Sequence, residues 1–575
     1  MLMLWLVCRP GPDETFLQAV RTLSGVTDLE ELDETEMERY TVLAAHPLPV
    51  NRTPRSRFLA SGILSPYQVA SLLDYRERNG DILSFAELAR VDGFDEETAC
   101  ALRPFFSLEP SLPPGSIPEK TKSRQEMTVR TAFVRKGDPE ADGQGWQYGL
   151  KYRYVRGDRW QVSFAGRNSY GERFFPPSEH TFSAVRYGER WLGKVVLGHF
   201  NARFGQGLSE WTGFRLSSLS SVSAFSLKPN LITPAFSYSG AGCYRGAAAD
   251  FRLGKTVLSA YATLPENESF RVGANLSRFG RYGQAGTTAT AEWNQGQLKE
   301  ATVSLDGRYH FRGVDLFGET AVRLLQKAAA VRAGSRFRIG EGVEAAFLAR
   351  ALPTGYTGKK NGEYALSAGL DLSSGPYVTR SGQTGFGASV QRHKVSLTLD
   401  AAALPKPLSE PGLKQLKILA SWQFQASPNW SWTLRLSERL GNGTDGNRTD
   451  IRLDAQREDG PWMLRFRANG VIAASFGALA YAEGGYRTED GWVYVRATLF
   501  RADDWKDRIY CYERDAPGNF NVPARYGRGV SLSAVGALKT RKAGRWYLRL
   551  AWTGYAKATE KPGKAELKLQ WMKNL

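Results

Sequence analysis

Six arginines occupy polar positions in segments where apolar and polar residues alternate. They are Arg153, Arg308, Arg465, Arg467, Arg496 and Arg549. A guanidinium group carries a planar fork of donors that matches a carboxylate or a phosphate. If the polar faces of these segments point into a lumen, the arginines line a basic passage that attracts an anionic solute or polymer. The alternative is a packed interior in which the arginines pair with Asp and Glu.

The chain contains no pattern that indicates catalysis or metal binding. Its histidines and cysteines are widely separated, and no CxxC pair or nucleophile motif is present. The residues concerned are His46, His180, His199, His310, His393, Cys8, Cys100, Cys243 and Cys511. We therefore predict that the protein is not an enzyme and requires neither a cofactor nor a metal.

The alternation also predicts the elements that position the arginines. In residues 300–309 the odd positions are apolar or glycine and the even positions are polar, and residues 462–468 and 545–552 alternate in the same way. About two dozen such segments follow residue 126, and strands of ~9–11 residues with one apolar face are typical of outer-membrane barrels. We predict a large antiparallel transmembrane β-barrel of about 22–26 strands over residues 126–575.

Charge divides the chain at the same place as the pattern. Residues 1–109 hold 18 acidic and 10 basic side chains, so they carry −8, while the whole chain carries +18 and the remainder therefore +26. A basic surface attracts phosphate groups, whether of nucleic acid or of lipopolysaccharide. Outer-membrane lipid, lipopolysaccharide and nucleic acid are thus candidate partners of the long basic part.

The N-terminal part has helical rather than alternating periodicity. Met1 to Cys8 is apolar like the end of a signal peptide, so residues 1–27 are predicted to be a leader with a short helix, and Cys8 is a candidate for lipid modification. Helix-spaced apolar residues predict a small all-α domain over residues 28–108. Residues 109–125 are rich in proline and predict a linker. The predicted fold class is α+β.

Three motifs of the helical domain carry a family resemblance. Val50-Asn51-Arg52-Thr53, Leu72 to Gly80 and Val91 to Asp95 resemble the helix-hairpin-helix domain of ComEA-like competence proteins. The resemblance implies two hairpin turns that approach DNA phosphates. These turns fall at Ile63, Leu64 and Ser65, and at Gly93, Phe94 and Asp95. The first turn lacks glycine and acids follow the second, so the residues favour a structural or protein-contact role over DNA binding.

One segment near residues 200–240 breaks the alternation. It contains Phe204-Gly205-Gln206-Gly207 and Trp211, and it is too irregular for strands and too apolar for a solvated loop. We predict that it folds into the lumen. Followed by Tyr244-Arg245-Gly246, it resembles a family of Bacteroidota outer-membrane proteins that join a helix-hairpin-helix domain to a barrel. The resemblance implies an outer-membrane location, with the N-terminal domain in the periplasm or inside the barrel.

Two functions are compatible with these patterns. The first is a channel that passes a substrate across the outer membrane, of which competence-like DNA uptake is one version. The second is a scaffold that does not transport, in which the helical domain contacts an envelope protein partner.

Overall fold

The computed structural model describes residues 12–111, 123–136, 145–157, 159–172, 175–188, 191–215, 219–280, 282–340, 342–358, 362–374, 393–404, 413–427, 429–442, 446–540, 542–556 and 562–575. Residues 1–11 of the predicted leader, with Cys8, and residues 112–122 of the predicted linker lie outside this set. Residues 12–111, called the helical region below, contain six α-helices. They are α1 (Pro12–Ser24), α2 (Glu34–Ala45), α3 (Arg55–Ser61), α4 (Pro66–Asn79), α5 (Phe85–Leu88) and α6 (Glu96–Ala101).

The helical region has an apolar centre and capped helices. Its fully buried side chains include Val20, Tyr40, Phe58 and Phe105. Ser65 forms a capping box with Gln68 at the start of α4, which satisfies two backbone N–H groups that the helix leaves unpaired. Two short strands, β1 (Leu48–Pro49) and β2 (Phe106–Ser107), pair in parallel and connect the stretch after α2 to the stretch after α6. None of the described helices is long and apolar enough to cross a membrane.

Twenty-four strands form one closed antiparallel barrel, called the wall below. The wall strands are β3 (Ser123–Lys136), β4 (Trp146–Arg156), β5 (Trp160–Arg167), β6 (Glu179–Tyr187), β7 (Leu192–Arg203), β9 (Tyr244–Leu253), β10 (Thr256–Thr263), β11 (Ser269–Phe279), β12 (Gly283–Asn294), β13 (Gln297–Phe311), β14 (Val314–Arg323), β15 (Ala328–Gly340), β16 (Val343–Leu352), β17 (Glu363–Ser374), β18 (His393–Leu404), β19 (Leu413–Ser427), β20 (Trp430–Gly441), β21 (Arg448–Asp459), β22 (Trp462–Ile472), β23 (Phe476–Arg487), β24 (Gly491–Ala502), β27 (Gly527–Thr540), β28 (Gly544–Tyr555) and β29 (Lys564–Asn574). β29 pairs with β3 and closes the sheet. The predicted α+β class with a large antiparallel barrel is confirmed.

The wall turns its apolar face outward. In β22, Leu464 and Phe466 are exposed on the outside, whereas Arg465 and Arg467 are buried on the inside. A closed sheet satisfies every backbone group between neighbouring strands, so it can stand in hydrocarbon with this apolar face towards lipid. The protein is therefore an outer-membrane β-barrel, as predicted.

The two ends of the wall differ in the length of their connections. At the end that holds Ser123 and Asn574, two-residue turns join neighbouring strands at residues 254–255, 312–313 and 460–461. At the opposite end, residues 204–243 and 503–526 form much longer connections. Outer-membrane barrels place short turns in the periplasm and long loops outside, so the helical region joins the wall at the periplasmic end.

Both long connections fold inward, and we name them the first inner segment (residues 204–243) and the second inner segment (residues 503–526). The first contains a strand, β8 (Leu231–Pro234), which pairs with Phe200–Arg203 of β7. The second contains β25 (Ile509–Tyr510) and β26 (Ala524–Arg525), which pair with each other. A short helix, α7 (Thr354–Thr357), lies in another extracellular connection.

The helical region lies inside the barrel. Its α4 contacts β11 and β12, and its α3 contacts β8 of the first inner segment. Tyr67 stacks on His310, which is near the periplasmic end of β13, with ring centroids 4.3 Å apart. The helical region therefore fills the lumen from the periplasmic side, and the inner segments descend to it from the other.

A charge placed on the outer face tests this orientation of the wall. Leu305, in the middle of β13, is 67% exposed towards lipid. We expect Leu305→Arg to destabilise the barrel by about 2–4 kcal/mol, because it puts a cation into hydrocarbon. The folded fraction in lipid vesicles, read from heat-modifiable migration in gels, measures this loss. Leu305→Phe should fold normally, and equal folding of both variants would contradict the assignment.

Candidate functional site

The contact between the helical region and the wall is the candidate functional site, because it decides whether the lumen is open. A 3₁₀-helix, Leu29–Glu31, carries its acidic tip. Leu29 is buried in the apolar centre, which turns the acids beside it towards the wall. Glu30 accepts a hydrogen bond from Nη1 of Arg467 at 2.6 Å and another from the backbone N–H of Tyr512 at 2.9 Å.

Asp28 and Glu31 extend this acidic tip across two more strands. The Asp28 carboxylate bonds both Arg435 of β20 and Arg452 of β21, and it is only 2% exposed. Glu31 bonds Arg435 at 3.1 Å. Burial alone would raise the pKa of Glu30, but the guanidinium groups of Arg467 and Arg452 hold that pKa well below its ordinary value. Glu30 is therefore held as a carboxylate by these cations.

The helix α2 supplies a second group of acids. Glu34 bonds Arg167 at 3.1 Å and Glu36 bonds Arg203 at 2.8 Å, while Glu38 pairs with Lys151. Asp33 is the N-cap of this helix and accepts from the backbone N–H of Glu36 at 2.8 Å. Burial, reinforced by the neighbouring Glu36 charge, raises the pKa of Asp33 to about 6 despite that hydrogen bond. Asp33 is thus a titratable group within the contact.

Ion pairs at the periplasmic end complete the contact. Asp95 lies 3.5 Å from Arg338, Glu97 lies 3.0 Å from Lys394, and His46 pairs with Glu126. Eight carboxylates of the helical region thus bond wall cations in the part of the chain that the structure describes. They are Asp28, Glu30, Glu31, Glu34, Glu36, Glu38, Asp95 and Glu97. The acidic and basic parts of the sequence thus correspond to the two surfaces in contact, the helical region and the inner face of the wall.

The six arginines singled out from the sequence all point inward, and contacts of each are present. Arg467 bonds Asp454 as well as Glu30, and Arg496 bonds Glu483. The remaining arginines contact wall residues and the inner segments: Arg153 to Gln161, Arg308 to Asp315 and Ser226, Arg465 to Gln456, and Arg549 to Glu513 and Glu566. Four of the six arginines thus bond carboxylates, as in a paired interior, whereas Arg153 and Arg465 bond the side chains of Gln161 and Gln456.

The predicted hairpin turns face the interior of the assembly. Ile63 and Leu64 are buried, and the carbonyl of Ile63 accepts from the Lys228 amine at 3.3 Å. The nearby Ser65 caps α4. In the second turn, Gly93 packs against the ring of Tyr67, Phe94 is buried, and Asp95 caps α6. In this arrangement the first turn is buried, whereas the second turn borders a cavity and its Asp95 side chain is 42% exposed.

The Phe204-Gly205-Gln206-Gly207 motif binds a wall carboxylate. Gly205 and Gly207 have φ values of 55° and 74°, which turn successive N–H groups towards one point. The Glu319 carboxylate of β14 lies there. It accepts from the backbone N–H groups of Gln206 (2.7 Å), Leu208 (2.9 Å) and Ser209 (3.1 Å). Trp211 lies in the same turn and donates to the Phe214 carbonyl. The motif therefore fixes the first inner segment to the wall.

The second inner segment was missed by the sequence analysis. Its Glu513 bonds Arg525 and Arg549, and its Arg514 joins Arg496 in bonding Glu483. The signal was present, because alternation stops between residues 503 and 526 just as it does between residues 204 and 243. That stretch is polar, and polarity alone does not distinguish an inward fold from an exposed loop.

The contact leaves one large cavity within the described residues. A space of about 2290 Å³ lies between the helical region and the wall, and its lining includes Arg338, Lys394, Arg452 and Arg467. On the opposite side of the lumen, the apolar centre of the helical region continues into Phe200, Ile232 and other residues of β6 to β11 and the first inner segment. The helical region is therefore held by apolar contacts and the three ion pairs of α2 on the side of β4–β11, and by the ion pairs of the other five carboxylates beside a cavity on the side of β15–β22.

Comparisons with known proteins give a weak structural likeness. No family model matches the sequence, and no curated protein matches it. OccAB4 of Acinetobacter baumannii is 10% identical, covers 80% of this chain and 99% of its own, and has a TM-score of 0.30. A BenF-like porin from Pseudomonas fluorescens is 9% identical, covers 79% of this chain and 99% of its own, and has a TM-score of 0.29. These scores carry no argument about mechanism, so the fold rests on the strand pairing itself.

Removing one charge from the acidic tip tests the ionic contact. We expect Glu30→Gln to weaken docking of the helical region by about 3 kcal/mol, because it leaves the buried Arg467 without one of its two carboxylates. Trypsin cleavage of residues 12–111 in the detergent-solubilised protein, followed against urea, measures docking. Glu77→Gln, which changes an exposed acid of α4, is the matched control. Identical cleavage curves would contradict an ionic contact.

The raised pKa of Asp33 predicts a pH dependence of the same contact. An acid whose folded pKa is raised destabilises the fold when ionised, and this cost disappears as pH falls through about 6 towards ~4. Asp33→Asn keeps the helix cap and removes the charge. We therefore expect the variant to be more stable than the wild type by about 3 kcal/mol at pH 8 and by only about 1 kcal/mol at pH 4.5. The urea midpoint of tryptic cleavage measures this difference at each pH. A difference that does not change with pH would contradict the assignment to Asp33.

Proposed function

We propose that this protein is an outer-membrane channel closed by its own helical region, which must shift before a substrate can pass. The observation that carries the proposal is the set of eight carboxylates that bond wall cations. A closure held by charge can open without exposing apolar surface to water, because separated ions are well solvated. Such a contact suits a part that has to be released and seated again.

The asymmetry of the contact supports a direction of opening. Apolar packing and the three ion pairs of α2 join the helical region to β4–β11, whereas the described residues on the side of β15–β22 have the ion pairs of the other five carboxylates and the cavity but none of this apolar core. Ion pairs beside water are easier to break than a continuous apolar core. We propose that the helical region stays attached on its apolar side and that the passage opens along β15–β22.

DNA uptake is not part of this proposal. The first turn expected to approach phosphate is buried in the closed arrangement, and Asp95 of the partly exposed second turn bonds Arg338. Acids of the helical region occupy the wall cations that a nucleic acid would need. The helical region therefore supports the role of a closing element better than that of a DNA receptor.

Conductance in planar bilayers tests the proposed channel. We expect the wild-type protein to stay mostly closed and Asp28→Asn/Glu30→Gln to open at least tenfold more often, because two of the carboxylates that hold the acidic tip lose their charge. Glu77→Gln serves as the control and should behave like the wild type.

The alternative is a scaffold in which the barrel serves as an anchor. The apolar core shared by the helical region and β6–β11 is the observation that favours it, since that part resembles a permanent contact. If the double variant becomes sensitive to trypsin and still conducts no better than the wild type, the channel proposal is wrong and the scaffold explains the structure.

A further inference from the structure

The wall contains a pair of arginines that needs an anion between them. Arg435 of β20 and Arg452 of β21 are directly opposite each other in the strand register, and both point inward. Residues directly opposite in an antiparallel pair have Cβ atoms about 5 Å apart, and like charges in this position destabilise a sheet. Asp28 resolves the repulsion here, because its carboxylate bonds both guanidinium groups. The helical region thus supplies the anion that this part of the wall requires.

The wall supplies fewer carboxylates than arginines at this point, as far as the described residues go. Asp450 of β21 lies 3.6 Å from Arg448. Asp454 of β21 bonds Arg452 at 2.8 Å and Arg467 at 2.6 Å. Arg435 bonds Asp28 and Glu31, which both belong to the helical region. When the helical region shifts, Arg435, Arg452 and Arg467 keep, among the described residues, only the wall carboxylates Asp454 and Asp450 nearby, so this part of the lumen has an excess of positive charge.

A second pair of opposed arginines continues the pattern towards the outside. Arg439 and Arg448 are also directly opposite each other on β20 and β21, four residues nearer the extracellular end. Arg448 donates to the backbone carbonyls of Lys506 and Arg508 in the second inner segment. Arg465 lies two residues from Arg467 towards the periplasm, which corresponds to about 6.7 Å along a strand. We name Arg465, Arg467, Arg452, Arg435, Arg448 and Arg439 the arginine track.

We infer that the arginine track is the binding path of an anionic substrate and that the acidic tip imitates this substrate. The inference rests on the proposed function, since the track becomes available only when the helical region shifts. Asp28, Glu30 and Glu31 bond three successive arginines of the track with carboxylate oxygens. A substrate with carboxylate or phosphate groups offers the same acceptors, and guanidinium groups bind either one in a bidentate manner.

The cavity gives this substrate access from one side. Arg452, Arg465 and Arg467 line it together with residues of the helical region. An anion entering there meets the cations that hold the tip and competes with it. Several sites in a row let an anion move along without being held at any one of them, which is how charged pores combine binding with passage.

Direct anion binding tests this inference separately from conductance. The probe is tripolyphosphate, titrated calorimetrically into the full chain in detergent at low ionic strength, with citrate as the carboxylate counterpart. We expect Asp28→Asn/Glu30→Gln to bind tripolyphosphate at least tenfold more tightly than the wild type, because the tip no longer occupies the track. Citrate should bind more weakly than tripolyphosphate, and it should also prefer the double variant to the wild type.

Substitution of the wall completes the test. Adding Arg452→Gln to the double variant should weaken binding at least tenfold, whereas Arg332→Gln, a buried inward arginine of β15 that donates to the Phe225 carbonyl, should leave it unchanged. Equal binding with either added substitution, or equal binding by the wild type and the double variant, overturns the inference. Heat-modifiable migration confirms that each variant is folded, and Asp28→Asn alone replaces the double variant if that one does not fold.

The two proposals fail in different ways. If the double variant binds anions at the arginine track but conducts no better than the wild type, the binding site is supported and the channel proposal is wrong. If conductance rises but anion binding does not depend on Arg452, the channel proposal is supported and the inference of an anionic substrate is wrong.

Discussion

Neutralisation of charge inside the barrel is the constraint on which the structure depends. A closed sheet sends every second side chain inward, and here many of these are arginines that are buried. A buried charge without a partner is costly, so each of these positions requires an anion close by. The anions come from three sources: wall carboxylates such as Asp454 and Glu483, the second inner segment through Glu513, and the acidic tip of the helical region. The interior is thus one network of charges assembled from distant parts of the chain.

The same constraint explains why the two halves of the sequence have opposite charge. If the acidic domain and the basic barrel were separate, water would solvate both surfaces and their opposite charges would need no further explanation. Packed inside one another, they become complementary, and the net charges of −8 and +26 record that complementarity. Backbone groups take part as well. The turn after Phe204 presents three N–H groups to Glu319, so even an irregular segment supplies charge balance to the wall.

Much of the fold could be predicted from the sequence, because alternation with period two is a local property of each strand. Residues 300–309 identify β13 by themselves, and the number of such segments gave the size of the barrel. The placement of the helical region could not be predicted in this way. It depends on pairs such as Asp28 with Arg452, which are 424 residues apart, and no local pattern reports such a contact. The inward fold of the second inner segment could not be predicted for a related reason. Its polar residues are equally compatible with a solvated loop, and only the structure places Glu513 between Arg525 and Arg549.

The order of elements along the chain has a consequence for assembly. The helical region precedes β3, and β3 is one of the two strands that close the barrel. It is therefore made before any arginine that it will neutralise. Until it is in place, Arg435 and Arg452 face each other across β20 and β21 without the Asp28 carboxylate that bonds both, and among the described residues Arg452 has only the wall carboxylate Asp454. The late strands thus gain their full stability only around a helical region that is already folded. The helical region therefore acts as a template around which the barrel closes. Contacts of such long sequence separation form slowly, so we expect the wall and its contents to mature as one cooperative unit.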